Sequence, residues 1–221
     1  NKNITIIPNY PPRFWLDQYD ETSIEKNFSK RKRKPRVLYA GSGAHFDVDN
    51  IAGQRDDFQH VIQTVRKTVN KYQWVFIGAF PVGLRDLVQS GKIEYHPWVP
   101  LYDYPRLVQK VKANIMVAPL CDNNFNRSKS DLKFIEGCAF GIPTICQDMC
   151  TYENATYKFK TGSEMVDNID QLMSDKTHYM KAVRKGRAQA ENRWLENPEN
   201  IGKYVELYTT KYGSSDRKLL I

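Results

Sequence analysis

Residues Asn124–Pro143 read NFNRSKSDLKFIEGCAFGIP, and the fold follows from how this stretch divides. Asn126, Arg127, Ser128, Lys129 and Ser130 are anion-binding residue types in what reads as a loop. From Asp131 to Ala139 the apolar positions Leu132, Ile135 and Ala139 recur at helical spacing. Gly141 stops that helix, and Pro143 opens a buried strand running to Cys146. A helix N-terminus offers free N–H groups and a partial positive charge, so a phosphate can sit against Ser130, Asp131, Leu132 and Lys133. Arg127 and Lys129, just ahead, would add cations acting together. Glu136 lies about one and a half turns further in, inside the otherwise apolar run FIEGCAFGIP. A carboxylate there could accept both hydroxyls of a ribose attached to that phosphate. The competing reading is a capped helix with solvated Lys and Arg and an i,i+3 surface pair between Lys133 and Glu136.

Upstream, short apolar runs alternate with amphipathic ones. Val37–Ala40, Trp74–Ile77, Ile93–Tyr95 and Ile115–Ala118 read as strands, with Ile4–Ile7 as a further short candidate. Asp56–Tyr72 carries Phe58, Val61, Ile62, Val65 and Val69 on one helical face. Leu84–Gln89 and Pro105–Val111 read as short helices, and Met165–Met173, Tyr179–Asn192 and Ile201–Tyr212 as closing ones. Arg13–Phe28 is polar and aromatic, irregular with a helical piece. This alternation predicts an α/β fold, a Rossmann-like doubly wound parallel sheet with helices on both faces.

Ligands of such sheets bind outside the carboxyl ends of the strands. Gly41, Ser42 and Gly43 follow the first strand, where small residues let backbone approach a phosphate or sugar; tight turns use the same residues. The GxGxxG pattern of dinucleotide sites is missing. His45 and Asp47 could face the cleft or cap the loop. Gly78 ends the second strand, and Trp98 and Val99 follow the third, offering an apolar wall and backbone hydrogen bonds to a base, against the alternative of a buried core tryptophan. Tyr102 and Tyr104 read as packing the next short helix, with Asp103 at its N-cap.

Taken in order, ITIIPN (Ile4–Asn9), RVLYAGSGAHFDVDN (Arg36–Asn50), WVFIGAF (Trp74–Phe80), IEYHPWVPLYDYPRLV (Ile93–Val108), ANIMVAPL (Ala113–Leu120) and the donor stretch resemble the C-terminal, nucleotide-sugar-binding domain of GT-B glycosyltransferases, family 4-like. The resemblance implies residues 1–35 as linker and lead-in and 36–221 as the donor-binding domain. It implies hexosyl or related transfer from a nucleotide-diphosphate sugar, without a divalent metal, to an acceptor held by an N-terminal domain, so that the isolated piece is inactive. Catalytic residues are not assigned. The family pairs two glutamates along this helix; Glu136 matches the second, but Ser128 stands where the first belongs, which leaves the sugar and the stereochemistry open.

Composition bounds the alternatives. The chain has 221 residues and 41% hydrophobic content, enough for one sizeable core. No apolar run approaches the roughly 20 residues that span a bilayer. Asn1 opens the chain with no signal-like apolar core, an expectation of an excised or processed piece in the cytoplasm. Cys121, Cys138, Cys146 and Cys150 form no CxxC pair, and His is scarce, so neither a zinc site nor a disulfide framework is expected. Net charge is +8, with six basic residues in Lys30–Arg36 (KRKRKPR). That run reads as a solvated linker, or as a contact for an anionic membrane or DNA. It supports the rival function, a nucleotide- or nucleic-acid-binding module without transfer activity, and a phage-type glycosyltransferase acting on modified DNA would unite both. A sugar-phosphate isomerase or epimerase would need carboxylates and histidines that the sequence does not assemble.

Overall fold

The computed structural model describes residues 8–29, 34–46 and 57–211. The expected strand Ile4–Ile7, the start of the basic run and Asp47 lie outside them. Six strands, β1 (Arg36–Gly41), β2 (Gln73–Gly78), β3 (Glu94–Pro97), β4 (Ile115–Ala118), β5 (Thr144–Gln147) and β6 (Tyr157–Phe159), pair in parallel in the order β3-β2-β1-β4-β5-β6. The helices are α1 (Arg13–Leu16), α2 (Glu21–Ser29), α3 (Ile62–Thr68), α4 (Arg85–Gln89), α5 (Tyr104–Val111), α6 (Asn124–Arg127), α7 (Leu132–Phe140), α8 (Gly162–Ser174), α9 (Lys176–Glu191) and α10 (Pro198–Lys211). This is the Rossmann-like order, in which the connection reverses direction between β1 and β4.

Side chains alternate across each strand, so the sheet has two apolar faces. Val37, Tyr39, Trp74, Phe76, Ile115 and Val117 share one core with Phe28, Val65 and the inner faces of α8 and α9. Leu38, Ala40, Val75, Ile77, Met116 and Ala118 share the other with Trp15, Leu16, Val108 and the buried side of α7. Both faces are covered, which is why the central strands read as unbroken apolar runs. Only three layers are needed to bury them.

Several local expectations change. The helix expected from Asp56 begins only at Ile62, because residues 57–61 are tight turns that turn the Asp57 carboxylate inward. The donor loop contains α6, capped by the Asn123 side chain accepting from the Asn126 N–H at 2.8 Å. Strand β6 has a lysine at its centre and no apolar run to announce it. Trp15 and Leu16 of α1 and Phe28 of α2 are buried in the two cores, so the lead-in is built into the body. At the amino end of the sheet, Lys34 donates to the Val69 carbonyl at 3.1 Å, and Arg36 donates to both Glu94 carboxylate oxygens at 2.8 and 2.7 Å. These described members of the basic run are therefore engaged at the amino end of β1, opposite its carboxyl end.

At that carboxyl edge β1 and β2 come unusually close. Gly78 has φ +94°, and a Cβ built on it would lie 2.4 Å from the Gly41 carbonyl oxygen, which also accepts from the Ala79 N–H at 3.0 Å. Gly91 shares a positive φ of +70° but has open space around it. Gly91→Ala should cost about 1 kcal/mol, the conformational term alone. Gly78→Ala adds a clash with backbone and should cost about 3 kcal/mol or more. Urea midpoints of the two variants check this; equal losses would mean that the approach to Gly41 is not tight.

Candidate functional site

The loops at the carboxyl ends of β1 to β4, with the start of α7, enclose a cleft of about 420 Å³. Gly41 and Ser42 supply its wall after β1, Gly78 after β2, and Trp98 and Val99 after β3. Lys129, Ser130, Leu132, Lys133 and Glu136 form the opposite side. Gly43, Arg127 and Asp131 are the expected site residues that do not line it.

The reasons are local. Gly43 starts a short turn, and its carbonyl accepts from the Phe46 N–H at 3.0 Å. Arg127 ends α6 and turns outward, where its guanidinium forks onto Asp122 at 2.6 and 2.9 Å. A phosphate clamp that joins Arg127 to Lys129 is therefore not what this geometry builds. Asp131 accepts a two-pronged bond from Arg193 at 2.7 and 2.9 Å, and Arg193 also donates to the Asn9 carbonyl at 2.9 Å. That pair clamps the start of α7 to the lead-in and to the segment after α9.

Lys129 and Lys133 are the cleft's cations. Lys129 Nζ lies 3.7 Å from Asp57 and over the Phe125 ring. Lys133 donates to the Ala40 carbonyl at 2.9 Å and sits over Tyr39, so the expected surface pair with Glu136 is not formed. Burial lowers the Lys133 pKa, partly offset by the Glu136 charge. Glu136 itself has neither a hydrogen bond nor an ion pair among the described residues. Burial pushes its pKa up to about 7, against the pull of Lys133.

Trp98, read as a core tryptophan in the competing view, is 65% exposed at the mouth. Sequence reasoning did not place Trp15, Tyr104, Leu120 or Tyr152 here, and it left His45 undecided; all five line the cleft. Asp103 does precede α5 but makes no side-chain cap. Tyr104 was expected only to pack its helix. Its hydroxyl and the Trp15 indole N–H are instead buried without a partner among the described residues, on the cleft wall that includes Glu136. Burial and the Glu136 charge hold the Tyr104 pKa well above its ordinary range. No local pattern marks Trp15, because it arrives from a segment far away in sequence. For Tyr104 the signal was available: a tyrosine one residue past a loop at a strand's carboxyl end.

His45 completes the floor. Its Nδ1 is 2.8 Å from Asp57, a buried carboxylate that also accepts from the Cys121 N–H at 2.9 Å and the Asn126 amide at 2.7 Å. Burial raises the Asp57 pKa, but these donors and Lys129 outweigh it and keep the group ionised.

No family model matches the chain, and no curated protein resembles it in sequence. Solved structures do resemble it. Alr3699/HepE from Anabaena, crystallised with UDP and glucose, superposes with a TM-score of 0.59 at 12% identity over 91% of this chain. The wall teichoic acid polymerase TagF gives a TM-score of 0.40 at 9% identity, over 87% of this chain and 46% of TagF. This chain spans 56% of the length of Alr3699/HepE. The likeness to Alr3699/HepE is one of fold, an α/β Rossmann-like sheet. Among the described residues no helix is long and apolar enough to cross a membrane.

Glu136 makes a sharp prediction for the empty protein. Its folded pKa of about 7 stands above the ordinary 4.5, so the folded state holds a proton that the unfolded state loses first. Its contribution to stability is therefore undiminished below pH 4.5, falls as pH rises, and levels off above about 7. Glu136→Gln should match wild type in urea stability at pH 4 and exceed it at pH 8. A difference that does not change with pH would mean the carboxylate is not strained.

Proposed function

We propose that this chain is the donor-binding half of a GT-B-type glycosyltransferase, taking a nucleotide-diphosphate sugar for transfer of a hexosyl or related group. In this reading residues 36–221 are the donor-binding domain, residues 1–35 lead into it, and the acceptor is held by a further domain. The protein acts in the cytoplasm. The observation that carries the reading is Glu136: a carboxylate without a partner among the described residues, on the wall of a cleft at the strands' carboxyl ends. An unpartnered charge of this kind is costly unless a ligand satisfies it. A ribose offers two neighbouring hydroxyls to its two oxygens.

The remaining groups fit a nucleoside diphosphate extended from that point. The first N–H groups of α7, together with Lys129, face the diphosphate. Trp98 and Val99 flank the base, where an exposed indole gives up water readily. As the sugar leaves, charge grows on the diphosphate, and fixed N–H groups and lysine stabilise it without reorganising. The complex of Alr3699/HepE with UDP and glucose supports the choice of ligand class.

Calorimetric titration with UDP tests the reading. Glu136→Gln should weaken UDP about tenfold, or about 1.4 kcal/mol, and the loss should shrink for the 2′,3′-dideoxy nucleotide. Lys129→Ala should weaken UDP more than uridine, with high salt blunting the difference. Arg127→Ala should change neither, since Asp122 already holds it. An unaltered ribose preference in Glu136→Gln would defeat the assignment.

A further inference from the structure

His45 is among the cleft groups that the reading above does not use. It lies on the cleft's lining, and its Nδ1 is 2.8 Å from Asp57. Asp57 is held by two further donors, the Cys121 N–H and the Asn126 amide of the loop after β4, and is 4% exposed, so it fixes the ring. An ionised carboxylate accepts, and so Nδ1 carries the proton in this pair. The other ring nitrogen, Nε2, has no partner among the described residues.

We propose that His45 is a proton-coupled anion ligand: Nε2 takes a proton from solvent as a diphosphate enters the cleft, and the imidazolium then donates to a phosphate oxygen. The inference rests on the nucleoside-diphosphate reading and extends it to regulation of the same site by pH. Local charge requires something of this kind. Lys129 and Lys133 bring two positive charges, and Asp57 and Glu136 can bring two negative ones. A diphosphate adds several negative charges to a site that is close to neutral without it. Protonating His45 supplies the compensating cation on a rigid support.

Among the described residues, the titratable and charged groups facing His45 come from four places. Tyr39 of β1 stands edge-on with ring centroids 6.4 Å apart, Asp57 precedes α3, Lys129 comes from the donor loop and Lys133 from α7. In the empty protein the Asp57 bond pulls the His45 pKa up, but burial and the charges of Lys133 and Lys129 outweigh it and leave it below its ordinary 6.5. His45 is thus neutral at pH 7 until a bound anion reverses the balance. By linkage, a ligand that raises the pKa of a group binds more tightly where that group is protonated.

Glu136 also titrates near neutrality and could release a proton on binding, so the test is made in the Glu136→Gln protein as well. UDP, GDP and ADP are titrated by calorimetry at pH 7.5 in two buffers of different ionisation enthalpy. At that pH the terminal phosphate, with its pKa of about 6, is already ionised. The expected result is net proton uptake in Glu136→Gln and none once His45→Gln is added. UDP affinity in Glu136→Gln should fall by about tenfold from pH 7.5 to 8.5, the limit for one linked proton, and stay flat in the double variant. Ring resonances of the four histidines in the unmutated protein provide a second measurement that does not depend on a variant folding. The His45 resonance should titrate at higher pH with UDP than without it. Nucleotide binding with no proton uptake and an unmoved His45 titration would overturn the inference while leaving the cleft assignment standing. If none of the three nucleotides binds the unmutated protein at any pH, the cleft assignment fails and the inference fails with it. A lower melting temperature in His45→Gln with the pH slope retained would reduce His45 to a structural role.

Discussion

The cleft depends on one buried charge. Asp57 sits where the turns before α3, the segment after β4 and helix α6 meet, and its carboxylate accepts from a group on each side. A carboxylate taken out of water is expensive unless its lone pairs are filled, and removing a single partner from such a group costs several kcal/mol. The loop after β1, the turns before α3 and the loop after β4 are consequently tied together by these polar bonds, beside the apolar contact of Phe46 with Phe58. The same atoms determine where the functional groups point. His45 is aimed by its bond to Oδ2, Asn126 is held with its amide on Oδ1, and Lys129 leans towards the residual charge at 3.7 Å. The loops are therefore rigid for the same reason that they are polar.

Helix α7 shows the opposite bargain. It buries Phe134, Ile135, Cys138, Ala139 and Phe140, and its charged residues inside the turn pattern, Lys133 and Glu136, both open onto the cleft. Lys133 finds a free carbonyl at the end of β1, as strand ends always expose one. Glu136 finds no partner among the described residues, although two buried donors, Trp15 Nε1 and Tyr104 Oη, share its cleft and likewise lack one there. Stability would favour an apolar residue at this position. Unsatisfied groups gathered on one wall are what a site looks like when its hydrogen-bond partner is a ligand.

The central strands were legible because each is buried on both faces and bounded by glycine or proline; Gly41 and Gly78 even fall opposite each other in register. The donor helix was legible from its spacing and its glycine stop. The short β6 was not, since three residues with a central lysine carry no period. Arg127 was misjudged because composition marks anion-binding residues without their direction. One turn of helix α6 is enough to rotate it onto Asp122, while Lys129, two residues later, faces inward. Trp98 is exposed in the loop leaving β3, which lies at the sheet edge, a placement set by topology and not by the residue. Trp15 reaches the cleft through packing against Phe140 across the whole domain, which no local pattern encodes.

Charge at the level of the chain and charge at the site are separate matters. The net +8 suggests a polyanion partner, yet several of the described basic residues are paired on the surface: Arg66 with Asp86, Arg184 with Glu21, Lys176 with Glu25, Lys71 with Asp170. Inside the cleft the signs alternate. The cationic end is Lys129, in the loop just before α7, and the anionic group is Glu136, further along and inside the helix. A nucleic-acid backbone lying through the cleft would bring phosphate against phosphate-repelling carboxylate at one helical turn and a half. A nucleoside diphosphate reverses that mismatch, since it presents its anion at one end and a neutral diol about one sugar's length away. In the proposed reading it is the spacing between Lys129 in the loop and Glu136 in the helix, more than the basic excess of the chain, that favours a nucleoside diphosphate over a polyanion.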